Sequence, residues 1–248
     1  SKAVKLQDGR IFECGGINGG ASSGITKVYD PDTNSWTLLG SMNVARSKHT
    51  ATLLNNGRVL VTGGNEALPI KTCEIYDIDS GSWISIESMA VERFGHTATL
   101  LNDGRVLIVG GGSATNEIFD PTTGLWETAP IDLSPARWHH EATLLQDGRV
   151  LVSGGYRAGP IALDETWVFN PVNETWMAGG NLAQGRFHHK AILSKKIGVQ
   201  GRVIAIGGTD DDINGLDSIE IFDPMTLIWT TSATVDSVAR YSHALTEL

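Results

Sequence analysis

From residue 57 the chain reads Gly-Arg-Val-Leu-Val-Thr-Gly-Gly, an apolar run framed by glycine at both ends. The same pattern recurs as Gly-Arg-Val-Leu-Ile-Val-Gly-Gly at 104–111 and Gly-Arg-Val-Leu-Val-Ser-Gly-Gly at 148–155. Looser copies stand at 9–16 and 201–208, so the five starts lie 48, 47, 44 and 53 residues apart. A short apolar run bounded by turn residues predicts a β-strand. In the second copy four such runs are legible, at about 49–54, 58–62, 71–76 and 83–86. Asn56-Gly57, Asp103-Gly104 and Asp147-Gly148 predict tight hairpins, because glycine takes the positive φ that primed turns need. No stretch has the 3.6-residue period of a long amphipathic helix.

Two further signatures stay in phase with the first. An aromatic and a tryptophan lie seven residues apart at Tyr29/Trp36, Tyr76/Trp83, Phe119/Trp126, Phe169/Trp176 and Phe222/Trp229. Between them an Asp or Asn opens a turn (Asp30, Asp77, Asp120, Asn170, Asp223), usually followed by Pro, with its side chain expected to accept a local backbone hydrogen bond. Upstream of each glycine hairpin is Arg-x-x-His: Arg46/His49, Arg93/His96, Arg137/His140, Arg186/His189 and Arg240/His243. Four antiparallel strands repeated at a period near 48 predict an all-β fold, a β-propeller of radial four-stranded blades, with five blades. One blade cannot bury both its faces, so neighbours must stack around an axis. The aromatic–Trp pairs supply apolar area between blades.

A run ending in Gly-Gly followed by an aromatic and Trp separated by six residues resembles the kelch motif, and the resemblance covers essentially the whole chain. The Asp-Gly-Arg-Val-Leu hairpin and the Arg-x-x-His strand look most similar to kelch-type repeats of galactose-oxidase-like propellers. The resemblance implies a single domain over 1–248, with repeats at about 1–48, 49–95, 96–139, 140–188 and 189–242. Known kelch propellers mostly have six or seven blades, so five is a departure. Aligned on the hairpin glycine, residues 1–7 supply most of a first strand, and residues 240–248 begin a new one. We expect 240–248 to complete the first blade as its inner strand, because it keeps the Arg-x-x-His signature, with 1–7 partly displaced. A fragment of a larger ring is the rival arrangement. A five-bladed ring would be a monomer.

Composition narrows the function. The 29 glycines in 248 residues are in excess, but ten are the Gly-Gly pairs and five the hairpin glycines, so they mark blade geometry. Net charge is −9 and no basic stripe exists, which argues against nucleic-acid binding. No apolar run reaches membrane-spanning length, so no membrane is expected. No signal-peptide pattern opens the sequence, which slightly favours a cytoplasmic location, although a mature secreted chain would look the same. Cys14 and Cys73 have neither disulfide-framework nor metal-site spacing and read as buried thiols.

No catalytic constellation, metal site or cofactor site is expected. There is no G-x-S-x-G elbow or P-loop, and Gly110-Gly111-Gly112 opens no helix. Galactose-oxidase-like enzymes hold copper with Tyr and His beside a Tyr–Cys cross-link, and no such set matches here. The repeated histidines predict hydrogen bonds between blades, with a metal ring as the minor alternative. The repeated arginines predict carboxylate forks between blades, with Glu74, Glu117 and Glu220 as partners, each two residues before the third-strand aromatic. Anion binding by Arg46, Arg93, Arg137, Arg186 and Arg240 at the channel mouth is the alternative. The residues after those arginines vary: Ser47, Phe94, Trp138, Phe187 and Tyr241. In kelch domains that grip peptides, these positions and those after Gly-Gly line the recognition face. The second set here is Ile17, Asn65, Gly112, Tyr156 and Thr209, with Arg157 beside Tyr156. The resemblance therefore implies a non-catalytic scaffold that binds a protein or peptide through one channel mouth. A carbohydrate-binding or carbohydrate-active propeller with an aromatic mouth for a glycan is the alternative.

Overall fold

A computed structural model describes residues 1–130, 132–159, 161–196, 201–211 and 213–232. All regular structure among them is β. The chain divides into two compact units, Ser1–Thr128 and Ala129–Leu248. The first unit holds three four-stranded antiparallel sheets. The first sheet is Lys2–Lys5, Ile11–Cys14, Thr26–Asp30 and Ser35–Leu39; the second Thr50–Leu53, Val59–Thr62, Cys73–Asp77 and Ser82–Ile86; the third Thr97–Leu100, Val106–Val109, Glu117–Asp120 and Leu125–Thr128. The second unit holds two more. The fourth sheet is Glu141–Leu144, Val150–Ser153, Glu165–Asn170 and Thr175–Asn181; the fifth Lys190–Ser194, Arg202–Ile206, Ile219–Asp223 and Ile228–Thr231. Each is a β-propeller blade, with strands in chain order and the innermost strands of neighbouring blades of a unit side by side.

The second strand of each blade explains why its run is apolar throughout. Val59–Thr62, Val106–Val109 and Val150–Ser153 are buried at every position, and Val59–Thr62 has a neighbouring blade on both faces. Val59 and Val61 pack with Phe12, Val28 and Tyr76 of the first interface, whereas Leu60 faces the other way, onto Ile75, Val106 and Phe119. In the second unit Leu151, Val168, Val203 and Phe222 form the equivalent layer.

The aromatics seven residues apart turn out to be direct cross-strand partners in all five blades, as in Tyr76↔Trp83 and Phe119↔Trp126. Their ring centroids lie 4.9–5.3 Å apart. The indole then reaches the preceding blade: Trp83 Nε1 donates to Gly40 O at 2.9 Å, Trp126 to Glu87 O at 2.8 Å and Trp229 to Thr166 Oγ1 at 3.1 Å. The turn between the two rings is held as expected, with Asp77 Oδ1 accepting from the N–H groups of Asp79 and Ser80, and Asp30 Oδ1 from those of Asp32 and Thr33.

Two expectations are corrected. The glycine hairpins are not two-residue primed turns. Leu54 N donates to Arg58 O and Gly57 N to Leu54 O, and Asn56 is not at positive φ, whereas Gly57 is at +82°. This is a three-residue loop, a type I turn closed by a left-handed glycine. The chain start is also in place: Lys2–Lys5 pairs along its whole length with Ile11–Cys14, and Val4 packs on the first core. Strand pairing needs backbone groups and one apolar face, neither of which depends on the Arg-x-x-His signature. Residues 240–248, expected to complete that blade, lie outside the described residues, as do Arg240, Tyr241 and His243.

Gly63 and Gly64 show why the run ends in two glycines. Both have positive φ, +55° and +104°. A Cβ on Gly63 would meet Arg93 O and the His96 ring of the next blade, at 2.5 and 2.9 Å. On Gly64 it would meet Ser47 O and His49 Cβ of its own blade, at 2.6 and 2.9 Å. Gly64→Ala should therefore cost about 3 kcal/mol or more. Gly124→Ala, at φ +74° with open space around it, should cost about 1 kcal/mol. Urea unfolding midpoints of the two variants check the difference.

Candidate functional site

Each blade is entered through its arginine, which works in two directions. The backbone of Arg46 belongs to the first blade: its N–H donates to Ser23 O and its carbonyl accepts from Gly16 N. Its guanidinium belongs to the second, giving Nη1 to Gly63 O (2.9 Å) and Thr72 O (2.7 Å), and Nη2 to Thr72 Oγ1 (3.2 Å) and Glu74 Oε1 (2.7 Å). Arg93 repeats this with Gly110 O, Thr115 Oγ1 and Glu117, and Arg186 with Gly207 O, Ser218 and Glu220. The carboxylate also accepts backbone N–H groups of the entering segment, from Asn43 and Val44 to Glu74, Ala90 to Glu117, and Ala183 to Glu220. The arginine therefore joins two blades as expected, its backbone held by one and its carboxylate fork by the next. Arg46, Arg93 and Arg186 are fully buried, so these arginines anchor the fold from inside.

The repeated histidines bridge blades. His49 Nε2 lies 3.6 Å from Cys14 Sγ, His96 Nε2 lies 2.9 Å from Thr62 Oγ1, and His189 Nε2 lies 3.0 Å from Ser153 Oγ. Each partner is the residue just before the Gly-Gly pair of the preceding blade. Burial, reinforced by Arg46, lowers the His49 pKa to about 3; burial and Arg93 hold His96 well below the ordinary imidazole range. Both are neutral in the folded state. Cys14 and Cys73 are buried as expected, and burial pushes both thiols up to about 12.

The mouth positions sit where the entering segment and the chain after Gly-Gly meet as an antiparallel bridge. Trp138 and Tyr156 exchange both backbone hydrogen bonds, each 3.0 Å, as do Phe187 and Thr209. In the second unit this brings five rings together. Trp138 stacks on Tyr156 at 5.5 Å, Tyr156 contacts Phe187 at 5.0 Å and His139 at 5.7 Å, and His139 meets His188 at 4.1 Å. Phe187 is fully buried beneath Tyr156, while Arg157 is exposed on a small hairpin formed by Tyr156–Arg157 and Ile161–Ala162. In the first unit Phe94 is partly buried, with Lys48 Nζ 5.4 Å from its ring centroid, and Ile17 is exposed.

The imidazoles of His139 and His188 are members of this cluster that sequence reasoning passed over. They stand two residues after the arginine, at φ +51° and +54°, where the first unit has Lys48 (+52°) and Gly95 (+63°). The glycine at one copy of this position was the available signal for a left-handed residue.

The comparisons agree with this architecture. The kelch motif model matches residues 5–43 and 197–235. Human Kelch-like protein 35 is 33% identical over 75 residues, 30% of this chain and 12% of that protein. Mouse Kelch-like protein 15 is 49% identical over 39 residues, 16% of this chain and 6% of that protein. The alignments thus span only a small part of these relatives. The motif matches fall on the first and last of the five repeats, and the repeated four-stranded antiparallel sheets are what kelch repeats form.

Two outcomes test the site's energetics. Glu117→Gln leaves a buried guanidinium without its counter-charge and should cost about 3–5 kcal/mol, whereas Asp103→Asn at the exposed Arg105 pair should cost less than about 1 kcal/mol, both read by urea unfolding. The neutral histidines set the acid response. Unfolded imidazoles titrate near pH 6.5, so below that value the unfolded chain binds protons that folded His49 and His96 refuse. Stability should be full above about pH 6.5 and fall towards lower pH, by up to about 1.4 kcal/mol per pH unit for each histidine. Urea midpoints between about pH 7.5 and about pH 5 measure that slope, and His96→Gln should flatten it.

Proposed function

We propose that this kelch-repeat chain is a non-catalytic scaffold that binds a protein or peptide segment. The observation that carries this is the contrast between frame and mouth. Arginine (Arg137 apart), glycine pair, histidine and tryptophan recur at fixed positions and are consumed by hydrogen bonds and packing within and between blades. The positions after the arginine and after Gly-Gly do not recur, and in the second unit they assemble Trp138, Tyr156, Phe187, His139 and His188 into one ring cluster flanked by the exposed Arg157. Partly exposed aromatic side chains on a rigid frame give large contact area at low entropic cost, as interface hot spots do. The matches to Kelch-like proteins support the same direction.

Trp138 and Tyr156 supply the stacking surface, Phe187 supports Tyr156 from below, and Arg157 offers a charged rim. A selection from a random-peptide display library against the whole chain should yield binders, and Trp138→Ala or Tyr156→Ala should weaken them at least about tenfold. Binders untouched by both substitutions would move recognition elsewhere on the chain. A glycan array that retains the chain while the peptide library does not would replace the peptide reading with the carbohydrate one.

A further inference from the structure

One of the repeated arginines lacks its carboxylate. In the other three described forks the chain entering the third strand offers a hydroxyl and, two residues on, a glutamate: Thr72/Glu74, Thr115/Glu117 and Ser218/Glu220. The fourth blade has Glu165-Thr166-Trp167 in that register. Trp167 pairs with Val152 and Ala178, as Glu74 pairs with Val61 and Ser85. The entering segment has changed in step: Pro135, two residues before Arg137, has no N–H, where Val44 donates to Glu74.

The guanidinium is left short of acceptors. Arg137 is fully buried and gives Nη1 to Gly154 O at 3.0 Å, but Nε and Nη2 have no hydrogen-bond partner. Glu165 Oε2 stands 3.8 Å from Nη2, beyond hydrogen-bonding distance, and is itself unpaired. Trp167 Nε1 is a further buried donor without an acceptor. The Glu165 side chain is 42% exposed, against 1–2% for Glu74, Glu117 and Glu220.

We propose that the Nε/Nη2 edge of Arg137 is a binding site for a ligand carboxylate, with Glu165 as a loosely held occupant that the ligand displaces. The three sister forks show the acceptor this edge fits: a carboxylate oxygen that takes a charge-assisted hydrogen bond from Nη2 in all three, and from Nε as well at Arg93. Glu165 approaches from two residues along the strand and falls short of that geometry. Turning outward, it regains water and uncovers the edge, and the incoming carboxylate keeps the buried arginine neutralised. Gly154 O, held by Nη1 of the same guanidinium, lies two residues before Tyr156 of the Trp138–Tyr156 bridge. The inference rests on the protein-binding reading only for the ligand's source, an Asp, Glu or terminal carboxylate of a partner as against a free small acid.

Formate tests the site without a partner. Thermal unfolding of the native chain and of Glu165→Gln is followed in sodium formate and in sodium chloride at equal ionic strength. The expected result is a saturable, formate-specific rise in Tm of about 3 °C or more for Glu165→Gln, and a smaller one for the native chain, where Glu165 competes. Equal Tm values in the two salts would overturn the proposal and leave water as the occupant of that edge. Should Glu165→Gln not fold, the Arg137 Nε–Hε resonance of the native chain decides: a shift that saturates in formate but not in chloride supports the site, and an unchanged resonance overturns it. Formate binding without any peptide binder would keep this site and remove the protein-binding reading. Peptide binders alongside inert formate would do the reverse.

Discussion

The structure depends on a recurring peptide group, the bond joining the two glycines. At Gly63–Gly64 the carbonyl accepts the guanidinium of Arg46 and the N–H donates to the backbone carbonyl of Arg93. Two successive arginines thus hold opposite ends of the same amide. The second unit repeats the device at Gly154–Gly155, between Arg137 and Arg186. A side chain on either glycine would push out one partner, and either partner's loss would strand a buried polar group. The glycine pair, the buried arginine and the inward glutamate are therefore one requirement seen at three places in the sequence.

Hydrophobic packing and hydrogen bonding divide the work. The apolar second strands and the aromatic–tryptophan pairs provide most of the burial, which is non-directional and tolerates sliding. The arginine amide link and the histidine bridges are directional, so they fix how far one blade is rotated on the next. This division leaves the mouth positions a shared backbone bridge but no side-chain duty in common, and there the repeats diverge: Ser47, Phe94, Trp138 and Phe187 follow the arginine in the four described cases.

The blades and their turns were legible because each depends on local chemistry repeated five times. Strand limits near 49–54, 58–62, 71–76 and 83–86 are met within a few residues, and Asp77 holds its turn as its side chain suggests. The hairpin type was not legible, because Asn-Gly serves both a primed turn and a left-handed glycine closing a longer loop, and the choice is set by strand register. The arginine's double attachment was hidden for a different reason. Its side-chain partners are marked by sequence at Glu74, Glu117 and Glu220, but of its backbone partners Ser23 carries no signature, and the glycine pair that includes Gly16 gives no sign that its N–H meets the arginine carbonyl. The ring cluster was half legible: Trp138, Phe187 and Tyr156 stand out as aromatics at variable positions, whereas His139 and His188 read as incidental neighbours of the repeated histidines.

The shared amide also has a bearing on how such a chain can change over generations. The second and fourth blades each supply a carbonyl to their own arginine and an N–H to the next one, so each of these repeats carries half of two joints. A duplicated or deleted repeat re-forms both joints without any compensating substitution, whereas a cut at any other phase leaves an arginine facing a foreign strand. Repeat number is then free to drift in whole steps while the repeat itself stays rigidly constrained.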